Sequence, residues 1–99
     1  MMKNIITDLN KAFKNRVRLG IMSILIVNVA IDFNALKEML NLTDGNLASH
    51  LKALEATGYV VMHKEFVCRK PRTSYSAITP GKTAFKTHLD ALEKLINGG

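Results

Sequence analysis

The chain has 99 residues, enough for one domain and too few for two. Fourteen Lys and Arg against eight Asp and Glu leave a formal charge of +6, which points to a polyanionic counterpart such as nucleic acid or an anionic surface. A hydrophobic fraction of 47% allows a genuine core, and the single cysteine, Cys68, excludes an intrachain disulfide and a thiolate metal cluster.

The first elements are helical. Ile5, Leu9, Ala12 and Phe13, with Ile6 beside them, recur at helical spacing and predict an amphipathic helix over residues 3–14. A polar, basic junction at 15–18 leads into a stretch, 18–29, that is apolar on nearly every side and predicts a central buried helix. The apolar run 19–31 is broken by Gly20, Ser23 and Asn28 and is shorter than the ~18 residues of a membrane-spanning helix. It also starts too late for a signal peptide, so a soluble, cytoplasmic protein is expected.

Asp32-Phe33-Asn34 supplies a break and a cap, after which Ala35, Leu36, Met39 and Leu40 follow the helical period. A short connection at 41–43 follows. Thr43 is placed to cap the next helix, and Asp44 suits its positive end. Leu47, Leu51 and Leu54 stripe that helix, and Thr57-Gly58 stops it. From Tyr59 the composition changes to strand formers, at 59–62, 66–67 and 73–78, around a basic tip, Cys68-Arg69-Lys70-Pro71-Arg72. This predicts a two-stranded hairpin. Thr79 as N-cap and Pro80 at the first helical position open a last helix over about 80–96, with Phe85, Leu89, Leu92 and Ile96 on one face.

The expected fold is therefore mainly α, α+β in class, as a single domain over 1–99. It comprises a helix-turn-helix at about 34–57, a wing at about 59–79 and helices at both ends. Two short helices on a tight turn can present the second to a DNA major groove. Opposite its leucines that helix carries Gly45, Asn46, Ser49, Lys52, Ala53 and Ala56, small or polar residues without an acid. Small residues permit close approach, and Asn, Ser and Lys bond base edges or phosphates, although an ordinary solvated face would look similar. Lys64, Arg69, Lys70 and Arg72 against Glu65 make the hairpin basic, which fits a phosphate contact or a minor-groove probe and equally fits protection of a sheet edge.

The stretch from Phe33 to Gly81 resembles the winged-helix transcription regulators of the ArsR and MarR type, in particular their compact single-domain forms. The likeness is carried by Ser49-His50-Leu51 in the recognition helix, Gly58-Tyr59 at the entry to the wing, and Arg72-Thr73-Ser74-Tyr75 with Thr79-Pro80-Gly81 beyond it. It implies a homodimer that reads a pseudo-palindromic double-stranded DNA operator, with half-sites about one helical turn apart. DNA contacts are then expected from Thr43, Gly45, Asn46, Ser49, His50, Lys52, Lys64, Arg69, Lys70 and Arg72. The terminal helices, through Ile5, Ile6, Leu9, Phe13, Phe85, Leu89, Leu92 and Ile96, are expected to form the dimer interface. A chain this short has little other core for their apolar faces.

Other chemistry has little support in the sequence. The cysteine pairs of metal-sensing relatives are missing, so no metal or other cofactor is expected. His50 flanks the leucine stripe and can meet phosphate or pack against the hairpin, whereas His63 and His88 lack metal-site spacing. Cys68 lies beside two cations, which raises redox sensing as a reading, but a lone cysteine at a strand end is usually inert. With no nucleophile–base pair and no glycine-rich phosphate loop, an enzyme is not expected. Two alternatives to a site-specific regulator use the same surface: a sequence-indifferent architectural DNA binder and a winged-helix protein-interaction module. Binding to a membrane is disfavoured, because the cations sit on a hairpin and not along an amphipathic helix.

Overall fold

The structure is a computed structural model that describes residues 11–13 and 15–98. A 3₁₀ turn at Lys11–Phe13 precedes helix α1 (Arg16–Ile26), a short strand β1 (Ile31–Asp32) and helix α2 (Phe33–Leu40). Helix α3 (Asp44–Thr57), strands β2 (Val60–Val67) and β3 (Lys70–Ala77) and helix α4 (Thr79–Ile96) follow. Of the helix expected over 3–14, only its last turn can be placed, as 3₁₀; Ile5, Ile6 and Leu9 lie outside the described residues.

Each helix boundary has a local cause. The Asn15 side chain accepts from the amides of Val17 and Arg18, that of Asp32 from Ala35, and that of Thr43 from Asn46, so three helices begin on side-chain caps. Helix α2 ends at Asn41 and α3 at Gly58, both left-handed, at φ 53° and 84°. Helix α4 differs from expectation. Its cap position is Ile78, without a side-chain bond, and Thr79 is already helical; Pro80 in the first turn replaces the cap with a preset φ.

The sheet departs from the sequence expectation in two ways. Among the described residues it has three strands, in the order β1-β3-β2, all antiparallel, because Ile31 and Asp32 pair with Tyr75 and Ser74. Two residues are too short a run to show alternation in a sequence. Second, the hairpin turn is tighter than the expected loop. Val67 pairs with Lys70, leaving only Cys68 and Arg69 between the strands, at φ 53° and 66°. A two-residue turn with both central residues at positive φ matches the right-handed twist of a hairpin, even though neither residue is Gly or Asn. Lys70, Pro71 and Arg72 therefore belong to β3.

Among the described residues, the large side chains that are fully buried are Ile21, Met22 and Leu25 of α1, Leu36 of α2, and Leu47, Leu51 and Leu54 of α3. The base of the wing closes this core through Val60, Tyr75 and Ala77, and Phe85 closes it from α4. Phe13 sits in an aromatic box, its ring centroid 5.6 Å from Tyr59, 5.5 Å from Phe85 and 5.3 Å from the His88 ring. Phe13 and Phe85, expected at a dimer interface, are instead 2% and 7% exposed within one chain. The shared box explains the difference: each aromatic ring supplies the other's apolar partner.

Helix α4 crosses the wing entry at Gly81, where a Cβ would fall 2.2 Å from the carbonyl oxygen of Tyr59. That oxygen also accepts from the Ile78 amide, so backbone rather than a movable side chain opposes any substituent. Gly81→Ala is expected to destabilise the domain by about 1–3 kcal/mol, an overpacking cost. The melting temperature should fall by roughly 4–8 °C per kcal/mol in a chain of this size, and an unchanged melt would refute the close approach.

Burial also sets a pH dependence. His88 is 5% exposed, and burial holds its pKa below the usual 6.5. The folded state thus favours neutral imidazole, while the unfolded chain takes up a proton from 6.5 downward. The associated stability is complete above that value and declines as the pH falls through the window beneath it. Thermal melts at about pH 7.5 and about pH 5.5 should show acid destabilisation that His88→Gln reduces.

Candidate nucleic-acid interface

The helix-turn-helix is formed by α2 and α3. Its turn is closed by backbone bonds from the Asn41 amide to the Glu38 carbonyl and from the Leu42 amide to the Lys37 carbonyl, at 3.2 and 3.1 Å. An ion pair of 2.8 Å joins Lys37 Nζ to Asp44 Oδ1 across that turn. It is solvent-accessible, so it adds at most about 1 kcal/mol, but it occupies the acid at the start of α3.

With Leu47, Leu51 and Leu54 buried, the other side of α3 must face solvent. Thr43, Gly45, Asn46, Ser49 and Lys52 are all exposed, and Ala53 is half-buried. Thr43 serves the fold through its cap, whereas Ser49 and Lys52 project from the middle of the helix. These five expected contact residues thus share one surface. The N-terminal half of α3, including the glycine, presents a slim profile for approach to a groove.

His50 meets a partner that the sequence did not suggest. Its Nδ1 accepts a hydrogen bond of 3.1 Å from Arg18 Nε of α1, across 32 positions of the chain. Burial and then the Arg18 charge lower its pKa, so the ring is neutral and carries its proton on Nε2. The pair links α1 to α3 and holds a guanidinium beside that helix. Arg18 was not among the expected contacts, and no local signal marks it, since its partner is supplied by the fold.

On the wing, Lys64, Arg69, Lys70 and Arg72 are exposed. Arg69 stands in the turn, while Lys70 and Arg72 alternate with Pro71 along β3. Arg72 is held by an acid, its Nε lying 3.7 Å from Asp32 Oδ2, while the second oxygen of that carboxylate caps α2. The wing is thereby tied to the helix-turn-helix through one carboxylate. Beneath this link a cavity of about 530 Å³ is lined by Phe33, Met62, Pro71, Thr73 and Tyr75, among others.

His63 Nε2 lies 3.2 Å from the Ser76 hydroxyl, which donates to the Val29 carbonyl at 2.8 Å, a link from the sheet to the connection between α1 and β1. Cys68 is exposed in the turn. No group of three His, Cys, Asp or Glu among the described residues could hold a metal ion. No helix of the described residues is long and apolar enough to cross a membrane.

Comparisons with known proteins agree with this geometry. The family model described as a winged helix DNA-binding domain matches residues 17–96. An uncharacterised protein of Methanocaldococcus jannaschii is 40% identical over 79 residues, which cover 80% of this chain and 86% of that protein. The solved structure of a transcriptional regulator homologue from Pyrococcus horikoshii superposes with a TM-score of 0.82 at 36% identity, covering 88% of this chain and 86% of its own. A MarR-family transcriptional regulator from Silicibacter pomeroyi shares the fold alone, with a TM-score of 0.59 at 16% identity over 95% of this chain and 68% of its own. The slim face of α3, the basic wing and the extent of the family match lead to one conclusion: the chain belongs to the winged helix DNA-binding domain family.

Proposed function

We propose that this protein is a sequence-specific, double-stranded-DNA-binding transcriptional regulator of the MarR and ArsR type that acts as a homodimer in the cytoplasm. The observation that carries this reading is the exposed, acid-free middle of α3, Asn46, Ser49 and Lys52, on a helix whose opposite side is locked into the core. Asn and Ser suit base edges and Lys suits either base or phosphate, so this face reads the major groove. Lys64, Arg69, Lys70 and Arg72 then neutralise the flanking backbone or enter the adjacent minor groove.

Support for two copies comes from α4. Leu89, Leu95 and Ile96 are 44%, 46% and 83% exposed, beside half-buried Leu92, although Phe85 on the same helix is buried. Such an apolar surface on so small a domain favours self-association, and two-fold symmetry presents two recognition helices to a pseudo-palindrome.

The direct test measures affinity for the promoter region upstream of the protein's own gene against a scrambled duplex, across a salt series. Preference for the promoter with a steep salt dependence is expected. Equal binding to both duplexes would favour the architectural alternative, and no binding at low salt would favour a protein partner.

Two variants localise the interface. Ser49→Glu should weaken promoter binding on the order of a hundredfold, because a carboxylate then faces the phosphates. Arg69→Ala with Arg72→Ala should weaken all duplexes alike and reduce the salt slope by about one for each phosphate no longer neutralised. Both sites are exposed, so the melting temperature should hold; unchanged affinity in both variants would refute the assigned surface.

A further inference from the structure

We infer that the tip of the wing is an apolar wedge, formed by Phe66 and Pro71, that enters the minor groove at a base step and bends the DNA. The inference rests on the DNA-binding function proposed above and goes beyond it. It assigns a DNA-facing role to a residue that charge does not single out and predicts a deformation of the duplex.

Phe66 is the observation that requires explanation. Phe13 and Phe85 are buried and Phe33 packs partly against the core, whereas Phe66 is 79% exposed. Its cross-strand partner is Pro71, itself exposed, and cross-strand partners project on the same face of a hairpin. The next pair toward the turn, Val67 with Lys70, adds a valine that is 39% exposed. An aromatic ring and a pyrrolidine thus stand together near the end of a ribbon whose core packing stops at its base, with Val60, Met62, Tyr75 and Ala77. From His63 to Val67 every residue of β2 is exposed, so the outer ribbon extends roughly 13 Å, four steps of about 3.3 Å, with Pro71 also lining the cavity that Phe33 borders.

Charge complementarity identifies the occupant. The apolar pair is surrounded along the chain by Lys64, Arg69, Lys70 and Arg72, with Glu65 as the one acid in the hairpin. A protein partner that covered Phe66 would also have to neutralise or desolvate those cations. A duplex does both, since its phosphates meet the cations while the stacked bases receive the ring. Apolar wedges of Phe and Pro flanked by cations unstack flexible steps and kink the duplex by about 20–90°, and TA steps yield most easily. The turn at Cys68 and Arg69, both at positive φ, confines the end of the ribbon to two residues.

The test uses the full chain and a duplex of about 30 base pairs, A·T-rich with TA steps and dyes at its two ends. Bending is read from energy transfer, and unstacking from 2-aminopurine placed at a TA step. The wild type should shorten the end-to-end distance and raise the 2-aminopurine signal. Phe66→Ala should lose at least half of both effects with a roughly three- to tenfold loss of affinity, and Phe66→Leu should retain them as an apolar wedge. Both variants should melt as the wild type does, because the side chain is exposed. Wild-type binding without a bend would overturn this inference and leave the DNA-binding function intact. Absence of wild-type binding even at low salt would overturn both. A Phe66→Ala variant that bends DNA normally but loses self-association in sedimentation without DNA would assign Phe66 to a second copy and overturn the wedge.

Discussion

The burial of Leu47, Leu51 and Leu54 beneath α1 is the constraint on which the rest of the structure depends. These three side chains are fully inaccessible and meet Ile21, Met22 and Leu25, also fully inaccessible, in the central core. A buried leucine of this kind is worth about 1.5–3 kcal/mol, so rotating the helix to expose the stripe would cost more than a small domain can lose. The rotation of α3 about its axis is therefore fixed, and with it the identity of the residues it presents. Gly45, Asn46, Ser49 and Lys52 face solvent as a consequence of packing on the opposite side.

The same logic orders the charges. Two acids beside the basic surface are engaged within the chain: Asp44 with Lys37 across the helix-turn-helix, and Asp32 with both the start of α2 and Arg72. Each pair is partly exposed and contributes little to stability. Their effect is on the field, because an acid paired to an internal cation repels phosphate less than a free one. Asp32 has a further consequence. Its carboxylate caps α2 with one oxygen and meets Arg72 of β3 with the other, so the wing and the helix-turn-helix share one acid.

Much of the site was legible because it depends on local rules. Caps at Asp32 and Thr43, the left-handed stop at Gly58 and the leucine period of α3 act within a few residues and survive any tertiary context. The change to strand formers after Gly58 marked the wing for the same reason. Apart from the cap of α4, the departures depended on a neighbour that no local pattern supplies. Strand β1 exists because Tyr75 and Ser74 lie alongside it, and a two-residue strand carries no period of its own. Phe13 and Phe85 follow a helical apolar pattern that cannot tell a self-contained core from an interface. The tip residues 68–72 have loop composition, but the pairing of Val67 with Lys70 overrides it and draws Lys70, Pro71 and Arg72 into β3.

The sequence by itself determined the order of the elements, the winged helix-turn-helix layout and the chemical character of both candidate DNA-binding surfaces. Each of these follows from periodicity, capping and charge over short spans. Only the tertiary structure decided which apolar residues remain outside, leaving Leu89, Leu95, Ile96 and Phe66 exposed while Phe13 and Phe85 are enclosed. It alone also brought Arg18 to His50. The physical reason is common to all of these: exposure and pairing depend on what packs against a residue, and that neighbour is supplied by chain closure over dozens of residues, which no local pattern encodes.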